Sequence, residues 1–335
     1  LYRRPNADHC LAYCRENGIT PKGHCLNYDN ALPNWLKEAG AAEIKENLRR
    51  RFAELSALYG NEIPCFEVTN EAFNDWNTSK SPLFRQDDMI EWSFFTARNF
   101  FTHNDLYIND YHLWDYADAF RWNRSPYFML LERLTKEHVP FDGIGMQMHG
   151  FFPQKAEPDV AKIRYNPKFL FPILDLYQRF GKKMQLTEMT IPAYSASAED
   201  EEVQAELIRN LYPIFFSRQG MEAIIYWNLV DGYAAGAEKG DMTAGENVYY
   251  GGLLRFDMTE KPAFKVVKDF FRKEWTTSFE AETKDDSVSF RGFYGEYGLT
   301  VVYNGKEYEK KLRFSRDANH TFSLILGQRD ERKVR

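Results

Sequence analysis

Two glutamates in this chain of 335 residues stand at the ends of short, apolar, β-forming runs and have the residue type for acid–base work. The first run is FEVTNEA, which places Asn70 and Glu71 at a strand's exit; the second is KMQLTEM, which places Glu188 at the same kind of position. They lie 117 residues apart, yet strand ends of a parallel barrel open into one cleft. Two carboxyl groups so placed could break a glycosidic bond. One protonates the leaving oxygen, while the other attacks or stabilises the anomeric carbon as positive charge develops there. At about 5–5.5 Å separation the reaction retains configuration. Spacing alone, however, favours the plainer account, in which both glutamates anchor loops through salt bridges.

The elements that must carry this pair alternate along the chain, as in a parallel sheet with crossover helices. Strands are predicted at 20–26, 64–69, 106–109, 143–148, 184–187 and 223–227, and helices at 41–59, 88–101 and 197–217. Leu48, Phe52, Leu55 and Leu58 form an apolar stripe on the first helix. On the third, Val203, Leu207, Leu211 and Phe215 recur at every fourth position, with Gly220 as a stop. Six βα units fit before about residue 275, whereas a closed barrel needs eight. The predicted fold is therefore α/β, a (β/α)8 TIM-type barrel whose first two strands are missing from this chain. After Glu274 the helical period stops, and SVSFRGF, LTVVYNGKEY, KLRFS and TFSLIL alternate as strands, with Asn304-Gly305 as a turn. Residues 1–275 are read as the barrel and 276–335 as a small all-β appendage with a packing role, sugar binding being the alternative.

Composition narrows the partners. A net charge of −6 argues against nucleic acid, whose binders concentrate positive charge. No run reaches the roughly 18 apolar residues that span a bilayer, so no membrane contact is expected. The chain has no G-x-G-x-x-G or G-x-x-x-x-G-K cradle for phosphate. Aromatic residues make up 16%, which favours a ligand with flat apolar faces, such as a sugar. Cys10, Cys14, His24 and Cys25 have the residue types of a zinc site but not its spacing. The first two share a helix face, and the last two are strand neighbours pointing opposite ways. The cysteines read as buried thiols, and neither metal nor cofactor is expected, since two carboxylates suffice for the chemistry. The opening LYRRPNADHC lacks the apolar segment of a secretory signal.

The surroundings of the glutamates outweigh their spacing and favour chemistry over loop anchoring. Seven segments resemble, in order, those of glycoside hydrolase family 10, the endo-xylanase family. KGHCLNYDNALPNWL (22–36) resembles its third-strand segment, FEVTNEA (66–72) its acid/base motif, and LYINDYH (106–112) its fifth-strand motif. FDGIGMQMHG (141–150) is similar to its Gln-x-His strand and KMQLTEM (183–189) to its nucleophile strand. IIYWNLVDGY (224–233) resembles the last strand, and LLRFDMTEKPAF (253–264) the segment before the final helix. The resemblance covers about residues 6–274. It implies that Glu71 is the general acid/base and Glu188 the nucleophile. Asn70 would bond the sugar 2-hydroxyl, His149 the nucleophile, and Gln147 would help place the acid/base. His24 would touch the sugar beside the cleaved bond, and Trp227 would be the apolar wall beneath it. Tyr28 stands where the family has a tryptophan, and Tyr111 lies towards the leaving-group side.

Four departures from the family pattern bear on substrate. Its N-terminal strands, which supply a Glu-Asn-Lys cluster for the glycone, are absent from this chain: either it is a fragment whose missing N-terminal segment completes the barrel, or those strands come from elsewhere, or the barrel is abnormal. A family histidine is Asp29 here, which only accepts hydrogen bonds. The aspartate two residues past the nucleophile is Thr190, and a second cleft tryptophan is Ala235, with Tyr249 or Tyr250 as candidates to compensate. The resemblance thus implies a retaining hydrolase of a β-linked plant glycan, xylan first, working outside the cytoplasm: secreted, periplasmic or at the cell surface. The alternatives are a non-catalytic sugar-binding barrel and a hydrolase of another β-glycan or small glycoside.

Overall fold

A computed structural model describes residues 4–73, 80–111, 113–114, 125–234, 236–315 and 320–326. Helix α1 (Arg4–Glu16) leads into β1 (Lys22–Gly23), the single-turn α2 (Asn34–Lys37) and the long α3 (Ala41–Tyr59). Then come β2 (Cys65–Asn70), α4 (Met89–Phe100), β3 (Asp105–Asp110), α5 (Pro126–Lys136) and β4 (Gly143–His149). These are followed by α6 (Glu157–Arg164), α7 (Pro167–Gln178), β5 (Lys183–Thr190), α8 (Ala198–Phe216), β6 (Met221–Tyr226) and α9 (Pro262–Asp269). The first six strands make one parallel sheet in strict sequence order. A doubly wound sheet reverses its order part-way; this one does not, and it is part of a TIM barrel. Among the described residues no helix is long and apolar enough to cross a membrane.

The helices form where the sequence predicts, but their buried stripes turn. On α3, Ile44, Leu48, Phe52 and Tyr59 are buried, while Leu58 is 41% exposed. On α8, Val203 is exposed and Gln204, Ile208, Leu211 and Phe215 are buried. A helix advances 400° in four residues, so a strict four-residue repeat drifts off the core within three turns. Strand β1 is much shorter than the predicted 20–26. The carbonyls of Cys25 and Leu26 accept from the Arg51 guanidinium of α3, at 3.3 and 3.4 Å, while the N–H of Leu26 already donates to Glu67 O of β2 at 2.8 Å and Asn27 forms a bridge opposite Thr69.

The β2–β3, β4–β5 and β5–β6 ladders all shift register close to the predicted site, the last of them between Leu186 and Met189. In the β2–β3 ladder Glu67 pairs with Tyr107 and Thr69 with Ile108, leaving Val68 as an extra residue. In the β4–β5 ladder Met146 pairs with Leu186 and Gln147 with Glu188, leaving Thr187 extra. Each bulge breaks the two-residue alternation and re-aims the side chains beyond it.

By internal packing the chain divides into two compact units, 1–264 and 265–335. In the second, β7 (Gly295–Tyr303) and β8 (Lys306–Phe314) form an antiparallel hairpin. Its turn is Asn304-Gly305 with φ of 51° and 72°, the left-handed pair that a two-residue hairpin loop requires. The strands predicted at SVSFRGF and TFSLIL are corrected to irregular chain, and KLRFS is the end of β8. Their alternation reflects aromatic packing instead: Phe290 and Phe322 lie 5.4 and 5.3 Å from the ring of Phe314 on the hairpin.

One buried ion pair fixes the loop beyond β6. Lys261 is 0% exposed; its Nζ lies 2.6 Å from Asp231 Oδ2 and donates to Tyr250 O at 2.8 Å. Asp231 Oδ1 accepts from Gly252 N at 2.7 Å. Burial pulls the Lys261 ammonium below its usual pKa, against the holding charge of Asp231. Lys261→Met strands Asp231 without a cation, which costs about 3–5 kcal/mol. Urea unfolding of the single variant should show that loss, and Lys261→Met/Asp231→Leu should recover most of it; a single-variant loss below about 1 kcal/mol contradicts the pairing.

Candidate active site

Glu71 follows β2 directly, with φ of 50°. That left-handed backbone costs a non-glycine residue about 1–3 kcal/mol, and such outliers collect where function fixes geometry. Here the bend is held by the Glu71 N–H, which donates to Asn109 O at 3.0 Å. The carboxylate is half-buried and clamped from two sides. Tyr28 Oη donates to Oε2 at 2.7 Å, and Gln147 Nε2 to Oε1 at 3.3 Å. Burial, and then the charge of Glu71, hold the Tyr28 phenol far above its usual pKa, so it stays a donor.

Glu188 lies inside β5 and is 4% exposed. Its Oε1 accepts from Asn109 Nδ2 at 2.8 Å, and its Oε2 lies 3.0 Å from His149 Nε2. Asn109 also donates to Asn70 Oδ1 at 2.7 Å, which accepts a second bond, at 3.1 Å, from Gln147 Nε2. Glu188, Asn109, Asn70, Gln147 and Glu71 are therefore one hydrogen-bonded chain. With Asn70 Oδ1 taken twice, its Nδ2 group is the one left to meet a ligand. Asn109 Oδ1 accepts from Thr187 Oγ1 at 2.5 Å; the bulge at Thr187 lets successive residues of β5 reach the same amide. Space for this amide comes from Gly145, where a Cβ would meet Asn109 Oδ1 at 2.4 Å.

A second, charged group abuts Glu188. His24 Nδ1 is 2.5 Å from Glu67 Oε2 and 3.9 Å from Glu188 Oε1, and Lys22 Nζ is 2.5 Å from Glu67 Oε1. Burial would lower the His24 pKa, but the hydrogen bond and charge of Glu67, with the charge of Glu188, raise it. Burial would raise Glu67, but His24 and Lys22 hold it down. His24, Glu67 and Glu188 bring ligand atoms within 4.8 Å of one another. The Lys22 ammonium already balances Glu67, which makes the group an ion-pair cluster. The cysteines are free, and none is buried as predicted: Cys10 is exposed, and Cys14, Cys25 and Cys65 are half-buried.

Trp227, 40% exposed, stands edge-on to His24 at 6.0 Å and to His149 at 5.8 Å. His149 stacks on Phe151 at 4.5 Å, and Phe151 packs on Tyr249 at 5.2 Å, which brings Tyr249 to this side of the cleft. The structure thus gathers His24, Tyr28, Asn70, Glu71, Gln147, His149, Glu188 and Trp227. Tyr111 sits just past β3, half-buried, its N–H donated to Asp110 Oδ1 at 2.8 Å. Asp29 is 6% exposed and accepts from Ser81 N at 3.2 Å, which makes it a loop anchor. His112 and Ala235 lie outside the described residues.

Residues 2–270 match the family described as Glycosyl hydrolase family 10. The chain belongs to that family. Among relatives of this family 10 chain, endo-1,4-beta-xylanase B of Neocallimastix patriciarum is 23% identical over 238 residues, 69% of the chain and 26% of that protein. The beta-1,4-xylanase of Dictyoglomus thermophilum is 26% identical over 243 residues, 68% of the chain and 65% of that protein. The chain therefore spans less than two thirds of either relative. Native xylanase 10B from Thermotoga maritima shares its fold with a TM-score of 0.65 at 24% identity, over 82% of this chain and 81% of that one.

Sequence reasoning about the family 10 site missed Asn109, Glu67 and Thr187. Glu67 had a signal, a charge in the middle of an apolar strand, which folds only if paired. Asn109 had none beyond ending its strand, as Asn70 does. The His24–Glu67 pair sets a pH window. Lowered Glu67 stabilises above its ordinary value near ~4.3 and loses this as pH falls; raised His24 stabilises below its ordinary ~6.5 and loses this as pH rises through its folded value. The stability advantage over His24→Gln should therefore be greatest between about pH 5 and 6.5 and shrink above about pH 7. Urea unfolding across pH checks this, and an advantage that still grows above about pH 7 rules the pair out.

Proposed function

We propose that this chain is a retaining endo-β-1,4-xylanase. Glu188 is the nucleophile and Glu71 the general acid and then base of a double displacement. The observation that carries the reading is the hydrogen-bonded chain from Glu188 through Asn109, Asn70 and Gln147 to Glu71. It holds two carboxylates in one cleft in unlike settings. Glu188 is buried and receives Asn109 and His149, which suits an anion attacking the anomeric carbon on one face. Glu71 is half-open on the phenol of Tyr28, which suits a group that exchanges protons with a leaving oxygen and later with water.

Asn70 Nδ2 is the donor for the sugar 2-hydroxyl, whose bond strengthens as the ring flattens. His24 and Trp227 form the polar and apolar walls at the scissile sugar, and Tyr111 belongs to the leaving-group side. Xylan is favoured because the relatives named above are xylanases. A polymeric substrate favours a setting outside the cytoplasm, and carbohydrate, without nucleic acid or membrane, is its partner. Eight strands close such a barrel. We place two further strands, from another segment, between the edges β1 and β6, because β6 is half-exposed despite its apolar Ala223, Ile224 and Ile225. Residues 1–275 are the catalytic part and 276–335 an appendage.

Reducing-end release from xylan tests the reading against sugar binding alone. Glu188→Ala should abolish turnover with binding kept. Glu71→Ala should cost about 10²–10⁴-fold on xylan and far less on aryl glycosides, whose leaving groups need no proton. Unchanged rates in both variants defeat the assignment.

A further inference from the structure

The nucleophile's histidine is held from behind by a line of side chains. His149 Nδ1 is 3.3 Å from Thr190 Oγ1, and Thr190 Oγ1 donates to Asn228 Oδ1 at 2.7 Å. Asn228 Nδ2 donates to Glu246 Oε2 at 3.0 Å, and the same oxygen accepts Trp227 Nε1 at 2.9 Å. Thr190 is 0% exposed, and its methyl fills the place a Gly251 Cβ would take, 2.6 Å away. The line is therefore built into the packing.

Its direction follows from what each group can donate. A carboxylate only accepts, so Glu246 turns the NH₂ of Asn228 towards itself and the carbonyl towards Thr190. The single hydroxyl proton of Thr190 is spent on that carbonyl. The Thr190 oxygen can then only accept from His149, whose Nδ1 must carry hydrogen. Nε2, facing Glu188 Oε2, needs a further proton to bond a group with no hydrogen of its own. We infer that Glu246, through Asn228 and Thr190, sets the direction of this hydrogen-bond chain and keeps a proton between His149 and Glu188, and so is a positioning residue for the nucleophile. Glu246 also anchors Trp227, so it acts on the histidine and on the apolar wall at once. The inference rests on Glu188 being the nucleophile.

The two duties separate by experiment on the full chain. Glu246→Ala should raise KM on xylan through Trp227 and lower kcat roughly tenfold through the chain, about the value of one charged hydrogen bond. Thr190→Val, of equal shape, should lower kcat alone. Together they should cost no more kcat than one, because both cut the same line. Glu246→Gln, whose carbonyl oxygen accepts the same two donors, should recover most of the loss. Thr190→Asp puts an acceptor beside Nδ1 directly, so there Glu246→Ala should still raise KM but no longer lower kcat. Multiplicative kcat losses in the double variant, or an equal kcat loss in the Thr190→Asp background, overturn the inference. NMR of nitrogen-labelled histidine reads the same line without turnover. His149 Nδ1 should be protonated in the wild type and lose that preference in Glu246→Ala; an Nδ1 without hydrogen in the wild type overturns the inference even if xylan is not cut. Loss of all xylan cleavage with an intact Nδ1 signal would instead refute the nucleophile reading.

Discussion

Two carboxylates in a cleft of low dielectric repel one another when both are charged, and neutral, directional groups between them fix their spacing without adding charge. In this chain three carboxamides do so. Asn109 donates towards Glu188, Gln147 donates towards Glu71, and both donate to Asn70 in the middle. No charge is added between the acids, and each amide makes at least two hydrogen bonds. The separation of the carboxylates is set by amide geometry, which does not relax as a loop does.

The sheet exists in the form that this line of amides requires. Asn70, Asn109 and Gln147 come from three successive strands, and Glu188 from a fourth, so the parallel ladder itself is the ruler. Bulges at Val68 and Thr187 let Glu67 and Asn70, or Thr187 and Glu188, serve one cleft against simple alternation. Behind the ladder, Leu106, Ile144, Met146, Met184 and Leu186 are almost wholly buried, so the amides sit on a close-packed floor.

Much of this was legible in the residues. Alternating strand and helix gave the barrel winding, and a glutamate at each of two strand exits marked the chemistry, because strand ends are where a barrel exposes side chains. What could not be read was anything decided by a bulge or by a side chain from a distant element. Arg51, from a distant helix, takes the carbonyls of Cys25 and Leu26 just past the first strand. Asn109 looks like any residue ending a strand until its neighbours are known. The SVSFRGF segment alternates as a strand does, yet its apolar face meets aromatic rings and finds no ladder partner. Thr190 looks like a lost link when only its own position is considered, whereas the acceptor lies across the fold on the loop bearing Glu246.

The glycine at position 145 has a wider meaning. Its missing carbon is the recess into which the central amide of β3 folds, and the nearest neighbours are Asn109 Oδ1 at 2.4 Å and Thr187 Cγ2 at 2.9 Å. The strand's own ladder bonds do not involve that position's side chain. One added methyl would crowd this amide first, and would also come within 3.0 Å of the Ile108 carbonyl on β3. A single carbon atom at this position therefore bears first on the reactive amide, which gives a barrel of this kind a short evolutionary path from cutting a glycan to merely holding one.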